Sequence, residues 1–136
     1  MNTIPGIVES VVTDELFAQI RIVYEGHIFS SCVLLTDHEL PYSKIGTPVV
    51  MLFKEADTII SLHAESDISC RNRFISKITA ITQSNVMTRV VADFNGIAIA
   101  SLITTGSARF LNLGIGTDIV CMVKSTSLTL NVKDTV

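Results

Sequence analysis

With 136 residues the chain is long enough for one ordinary domain or two very small ones. Hydrophobic residues make up 48% and charged residues 17%, below the usual ~25% charged, and mean hydropathy is +0.50. Even so, no run approaches the ~20 apolar residues of a membrane helix, and a net charge of −3 with 6% aromatics and no tryptophan argues against a nucleic-acid surface.

In chain order the elements are short and strand-like. Ile7–Val12 is the first predicted strand. Leu16–Tyr24 is the second, with Leu16, Ala18, Ile20, Ile22 and Tyr24 on one face and Gln19 and Arg21 on the other, the period-two pattern of a half-buried strand. Glu25-Gly26 turns the chain into His27–Leu35. A helical turn is expected over Asp37–Ser43, limited by Pro41, before strands Val49–Phe53 and Thr58–Leu62. The polar stretch 64–68 reads as a linker. Phe74–Ile81 and Val86–Phe94 follow, then Asn95-Gly96, whose residue types suit the positive φ angles of a type I′ hairpin turn. Ile97–Ile103, a helical turn Gly106–Leu113 ended by Gly114, and strands Ile119–Val123 and Ser127–Val132 complete the chain.

This order is a repeat. Asn2 and Asn72, Gly26 and Gly96, Gly46 and Gly116, and Lys54 and Lys124 are each 70 positions apart. Leu35-Thr36 aligns best with Ile103-Thr104, which implies a local drift to an offset of 68. Each copy reads as five strands with a brief helix after the third. The fold class is mainly β: two OB-like five-stranded barrels in tandem, over residues 1–65 and 66–136. A small domain buries its own surface poorly, so the apolar excess is expected at a subunit interface.

Three segments concentrate donors without a carboxylate: Ser69-Cys70-Arg71-Asn72, Thr104-Thr105-Gly106-Ser107 and Lys124-Ser125-Thr126. Two cations, several hydroxyls and free backbone N–H groups suit a tetrahedral oxyanion held by charge-assisted hydrogen bonds and a helix N-terminus. Taken singly, these residues are ordinary solvated cations, strand hydroxyls and helix caps. His27, His38 and His63 lack metal-ligand spacing. Cys32, Cys70 and Cys121 form no Cys-x-x-Cys, so neither a zinc site nor a disulfide framework is supported, and a reducing cytoplasm is the natural setting. The N-terminus shows no signal-peptide pattern. Gly114-Ile115-Gly116 is not a dinucleotide fingerprint, and Ser107 lacks a nucleophile elbow. No catalytic residue is expected.

Ser69-Cys70-Arg71-Asn72 resembles the Ser-Ala-Arg-Asn that opens the Mop, or TOBE-type, domain of molybdate- and tungstate-binding proteins. Ile103-Thr104, Ser107, Leu111-x-Leu113-Gly114-x-Gly116 and Lys124-Ser125-Thr126 fall in that family's order and spacing. The resemblance covers 69–136 well and 1–66 more weakly. It implies a binding protein of the molbindin kind, not an enzyme, with molybdate or tungstate held for storage, buffering or sensing. It also implies a site shared between Ser69, Cys70 and Arg71 of one chain and Thr104, Ser107, Lys124 and Ser125 of another. Single domains of the family form rings of six, so a tandem chain is expected to assemble as a homotrimer. An OB-type module for nucleic acid or protein, or a structural oligomer without ligand, is the alternative. The first copy lacks the Ser-x-Arg segment. Glu39 is the expected counterpart of Ser107, Glu55 stands for Ser125, and Asp57 for Ser127. A carboxylate ~4 Å from a unit anion costs about 4 kcal/mol at an effective dielectric of 20. The first-copy site is therefore expected to be dead, with Lys54 paired to Glu55 or Asp57.

Overall fold

The computed structural model describes residues 1–35 and 44–133. The expected turn Asp37–Ser43, with Glu39, lies outside the described residues. The first half builds β1 (Asn2–Thr13), β2 (Phe17–Tyr24), β3 (His27–Leu34), β4 (Pro48–Phe53) and β5 (Ile59–Ser61). The second builds β6 (Asn72–Gln83), β7 (Met87–Phe94), β8 (Ile97–Thr104), α1 (Thr105–Phe110), β9 (Asp118–Val123) and β10 (Thr129–Val132). Two 3-10 turns, Glu55–Asp57 and Ser125–Ser127, follow β4 and β9. No sequence pattern announces these turns, and the last strand of the second half, expected from Ser127, begins at Thr129.

Alternation decides which faces turn inward. Ala18, Ile20 and Ile22 are fully buried, as are Ile4 and Phe74 on the long first strands. Each long strand carries a bulge, between Val8 and Ser10 in β1 and between Ile78 and Ala80 in β6. A bulge adds a residue to one strand and sharpens its bend, which curls each sheet. The Asn95-Gly96 turn is as expected, with φ of 48° and 87°, and Glu25-Gly26 repeats it at 46° and 79°. The left-handed residue after α1 is Asn112, φ 51°, rather than Gly114.

The repeat holds its offset throughout the described strands. Phe17 pairs with Leu34 and Met87 with Thr104, so Leu34 is the counterpart of Thr104. The expected drift to 68 is wrong for a simple reason: sliding a strand by two residues preserves its in–out alternation, so the pattern alone cannot detect the slip.

The fifth strands are exchanged. One sheet has the order β10-β4-β1-β2-β3 and the other β5-β9-β6-β7-β8. Ile60 of the first half pairs with Cys121 of the second, and Leu130 of the second with Met51 of the first. Both barrels are five-stranded, but each takes its last strand from the other half.

The core is continuous across the junction. Phe29 and Phe53 come from the first half, Phe74 and Phe94 from the second. Phe74 stacks on Phe29 with ring centroids 4.6 Å apart and on Phe53 at 5.3 Å, and meets Phe94 edge-on at 5.3 Å. Such pairs add about 0.5–1.5 kcal/mol each beyond the area they bury.

Candidate functional site

Two asparagines lock the halves together. Asn72 is fully buried; its Nδ2 donates to Ser30 O at 2.9 Å and its Oδ1 accepts from Ser30 N at 2.8 Å. Asn2 does the same to Ala100, at 2.8 Å in both directions. Each asparagine thus adds a two-bond rung to the third strand of the opposite half. Ser31 and Ser101 complete the pattern by donating to the carbonyls of Leu128 and Thr58.

The ladder register then brings two of the donor segments together. Asn72 pairs with Val123, so Arg71, just before β6, and Lys124, just after β9, leave the same end of one strand pair. Both are exposed. The Ser125–Ser127 turn follows at once, and Ser125 shares a side-chain hydrogen bond with Ser30 of the first half. Beside it lies a groove of about 250 Å³ lined by Gln19, Arg21, Ile28, Phe29, Ser30, Arg71 and Asn72. Among these described residues there are two guanidinium groups and no carboxylate. A water needs only ~10–15 Å³ measured this way, so a tetrahedral oxyanion fits with room for water.

Cys70 is buried beside this junction. Burial pushes its thiol pKa up, against the opposing pull of a hydrogen bond to Asn72 and of Arg73 and Lys124. It is therefore a neutral thiol that donates to Asn72 O at 3.9 Å, leaving its backbone as the part suited to an anion. Ser69 is exposed at the head of this segment.

Thr104 and Ser107 lie elsewhere. Thr104 pairs with Met87, and the adjacent Thr88 with Gln83, at the far end of β6 from Asn72. Thr104 Oγ1 accepts from Ser107 N at 3.1 Å and shares a bond with Ser107 Oγ at 2.8 Å. That is the geometry of a helix N-cap. Ser107 also borders an apolar recess with Ile59, Ile60, Ile103, Phe110 and Leu111. Within one chain the seven candidates therefore divide into a junction group, Ser69, Cys70, Arg71, Lys124 and Ser125, and a cap group, Thr104 and Ser107. The resemblance implies that Lys124 and Ser125 come with the cap group from a neighbouring chain; within one chain the Asn72–Val123 register also sets them beside Arg71.

The mirror-image junction is built differently. Glu55 occupies the place of Ser125 and accepts from Arg89 Nε at 2.7 Å and Nη2 at 3.4 Å. The Arg89 hydrogen bond is the main reason that the Glu55 pKa is lowered. The expected partner, Lys54, is replaced by this arginine from the opposite half.

Three residues of the junction carry little sequence signal. Gln19 and Arg21 read only as the outward face of a strand. Arg73 follows the motif yet organises it: Nε donates to Cys70 O at 2.9 Å, Nη1 to Ala64 O at 2.7 Å, and Nη2 to Ser66 O at 2.6 Å and Ile68 O at 3.4 Å. One guanidinium thus curls the whole linker. No local pattern announces that role.

Among the described residues no cluster of His, Cys, Asp or Glu is arranged for a metal ion, and no helix is long and apolar enough to cross a membrane. Residues 68–130 match the TOBE domain. Among solved structures, the chain is similar to the cytoplasmic molybdate-binding protein ModG, solved with molybdate bound. The two are 21% identical, 97% of this chain and 96% of that one are covered, and the TM-score is 0.90. A molybdate-binding protein from Sporomusa ovata is 30% identical over 43% of this chain and 88% of its own, with a TM-score of 0.42. No curated protein matches the chain by sequence. These relatives are binding proteins rather than enzymes. Residues 68–130 thus match a TOBE domain, and the two exchanged halves together have the tandem Mop-type fold.

Proposed function

We propose that this protein binds a tetrahedral oxyanion, molybdate or tungstate, at the junction of its halves, for storage, buffering or sensing in the cytoplasm. The carrying observation is the groove beside Arg71, with the Ser30–Ser125 pair at its edge and no carboxylate among its described lining residues. Arg71 and Lys124 supply charge, Ser69 and Ser125 hydroxyls, and the Cys70 segment backbone N–H groups. Thr104 and Ser107 reach the same ion only from a neighbouring chain, as a trimer would allow. Support for assembly comes from large apolar residues that stay exposed at matching positions of both halves: Leu16 and Val86, Phe17 and Met87, Ile45 and Ile115, Leu62 and Val132. A surface repeated in this way suits a ring in which each half makes the same contacts.

Calorimetric titration with molybdate, tungstate and sulfate tests the ligand. Charge-assisted hydrogen bonds contribute about 1.5–3 kcal/mol, so Arg71→Ala and Lys124→Ala are each expected to weaken molybdate binding roughly ten- to a hundredfold. Ser125→Ala is expected to cost less. Heat signals absent for every oxyanion would leave a structural oligomer instead. Light scattering at micromolar concentration is expected to give three chains per particle, and a monomer would remove both the assembly and any role for Thr104 and Ser107.

A further inference from the structure

We infer that the first half is part of the ligand site: Gln19 and Arg21, on the outward face of β2, contact the anion held by the Ser69–Arg71 and Lys124–Ser125 segments of the second half. This rests on the oxyanion reading above and extends it to residues that neither the motif nor the TOBE-domain match at 68–130 includes.

The molecule carries an internal comparison. The two junctions are related by the 70-residue repeat, which pairs Gln19 with Arg89, Ser30 with Ala100 and Ser125 with Glu55. At the Asn2 junction the position of Ser125 is filled by a carboxylate, and the side chain that reaches it, at 2.7 Å, is Arg89. Arg89 is on the second strand of the opposite half. A residue at that strand position is therefore close enough to hold an anionic oxygen beside the 3-10 turn. Glu55 acts as a built-in anion and marks where an oxygen sits.

At the Asn72 junction the carboxylate is gone. Ser125 is short and neutral, and it bonds to Ser30 on the neighbouring β3. Gln19 takes the place of Arg89 and lines the groove. Its amide offers N–H donors without a charge of its own. Arg21, two residues on, projects from the same face and lines the same groove, whereas its counterpart at the other junction is Val91. Each half therefore lends one guanidinium to the opposite junction, the second half through Arg89, already neutralised by Glu55, and the first half through Arg21, which adds to Arg71 in a groove without a carboxylate among its described lining residues. Arg21, with Arg71 and Lys124, makes three cations around a dianion, in a protein of net charge −3. Arginine is the side chain suited to oxyanions, since its fork presents paired donors. The first half, where Glu55 stands in the place of Ser125, thus forms one wall of the other half's site.

The test uses the full-length protein and molybdate itself. Arg21→Ala and Gln19→Glu are titrated beside wild type and Arg71→Ala, with circular dichroism and light scattering as controls. Lys77→Ala removes a comparable charge from the β6–β9 surface, where Lys77 pairs with Asp118 at 3.0 Å, and so separates local contact from net charge. Arg21→Ala is expected to weaken binding about tenfold, Gln19→Glu more than tenfold because it returns a carboxylate to the groove, and Lys77→Ala less than twofold. Wild-type affinity in both Arg21→Ala and Gln19→Glu, with Arg71→Ala impaired, would overturn the inference and leave the oxyanion reading standing. A loss in Lys77→Ala equal to that in Arg21→Ala would also overturn it, since net charge would then explain both. A wild type that binds no molybdate would remove the reading and the inference together.

Discussion

Gly6 shows how the two halves solve one packing problem differently. Its backbone is not in the left-handed region, so conformational freedom is not the reason for glycine here. A Cβ at this position would collide with Ile22 Cγ2 and lie 3.4 Å from Met51 Cε. The corresponding residues of the second half are Ser76 and Ala92, where a larger residue on the first strand meets a smaller one on the second. Overpacking a filled core costs about 1–3 kcal/mol, and that is the expected loss for Gly6→Ala in urea denaturation. The double variant Gly6→Ala/Ile22→Ala is expected to be less destabilised than the sum of the single variants by about 0.5–3 kcal/mol. Strict additivity would show that the contact does not limit this core. Glu55 gives a second test at this scale. Its pKa is lowered in the folded protein, chiefly by Arg89. Its stabilising contribution is therefore present above the unfolded value of about 4.3 and is lost as pH falls through the lower, folded value. The pair is partly exposed, with side chains 48% and 26% accessible, so it contributes about 0.2–1 kcal/mol. Glu55→Gln is expected to be less stable than wild type by that amount at pH 7 and equal to it in strong acid. A gap that persists in acid would assign the effect to something other than the ion pair.

At the scale of elements, most strands were legible because they alternate. Ala18, Ile20 and Ile22 announce an inward face, and Asn95-Gly96 announces a hairpin. What alternation cannot announce is the neighbour. Ile60 and Leu130 read as ordinary last strands of their own halves, because a strand's pattern records which face is buried and not which edge it joins. Their exchange is visible only in the ladders, Ile60 on Cys121 and Leu130 on Met51. The candidate site was half legible for a related reason. Arg71, Lys124 and Ser125 carry the family's motif and do meet at the junction. Thr104 and Ser107 carry it too, yet in one chain they cap α1 at 3.1 Å and stand at the other end of β6. Gln19 and Arg21 carry no motif, and an outward strand face looks the same whether it meets water or the opposite half. Arg73 gathers three linker carbonyls and that of Cys70, up to nine residues away in sequence. Only the folded chain brings them into reach.

At the scale of the whole molecule, the exchange makes the two halves one folding unit. Without the second half, β4 loses its β10 partner, Asn2 loses Ala100, and Phe29 and Phe53 lose the Phe74 ring between them. Without the first half, β9 loses β5, Asn72 loses Ser30, and Phe74 loses both stacking partners. A small domain has little surplus to offset such losses, since net stability is only about 5–15 kcal/mol even for a complete one. The full chain is therefore expected to unfold in a single calorimetric transition whose calorimetric and van't Hoff enthalpies, per cooperative unit, agree. Residues 1–65 and 66–136, expressed separately, are expected not to fold as monomers. The second fragment has one alternative. The registers Ile59 on Met122 and Thr129 on Leu52 are the same register 70 residues apart, so β10 of one copy fits the β9 edge of another. Its far-ultraviolet circular dichroism should then depend on concentration, native-like when dimeric and disordered on dilution, and mixing the two fragments should restore the native spectrum at lower concentration than either alone. A fragment that stays folded as a dilute monomer, with its own sharp thermal transition, would show that each barrel closes without the exchanged strand.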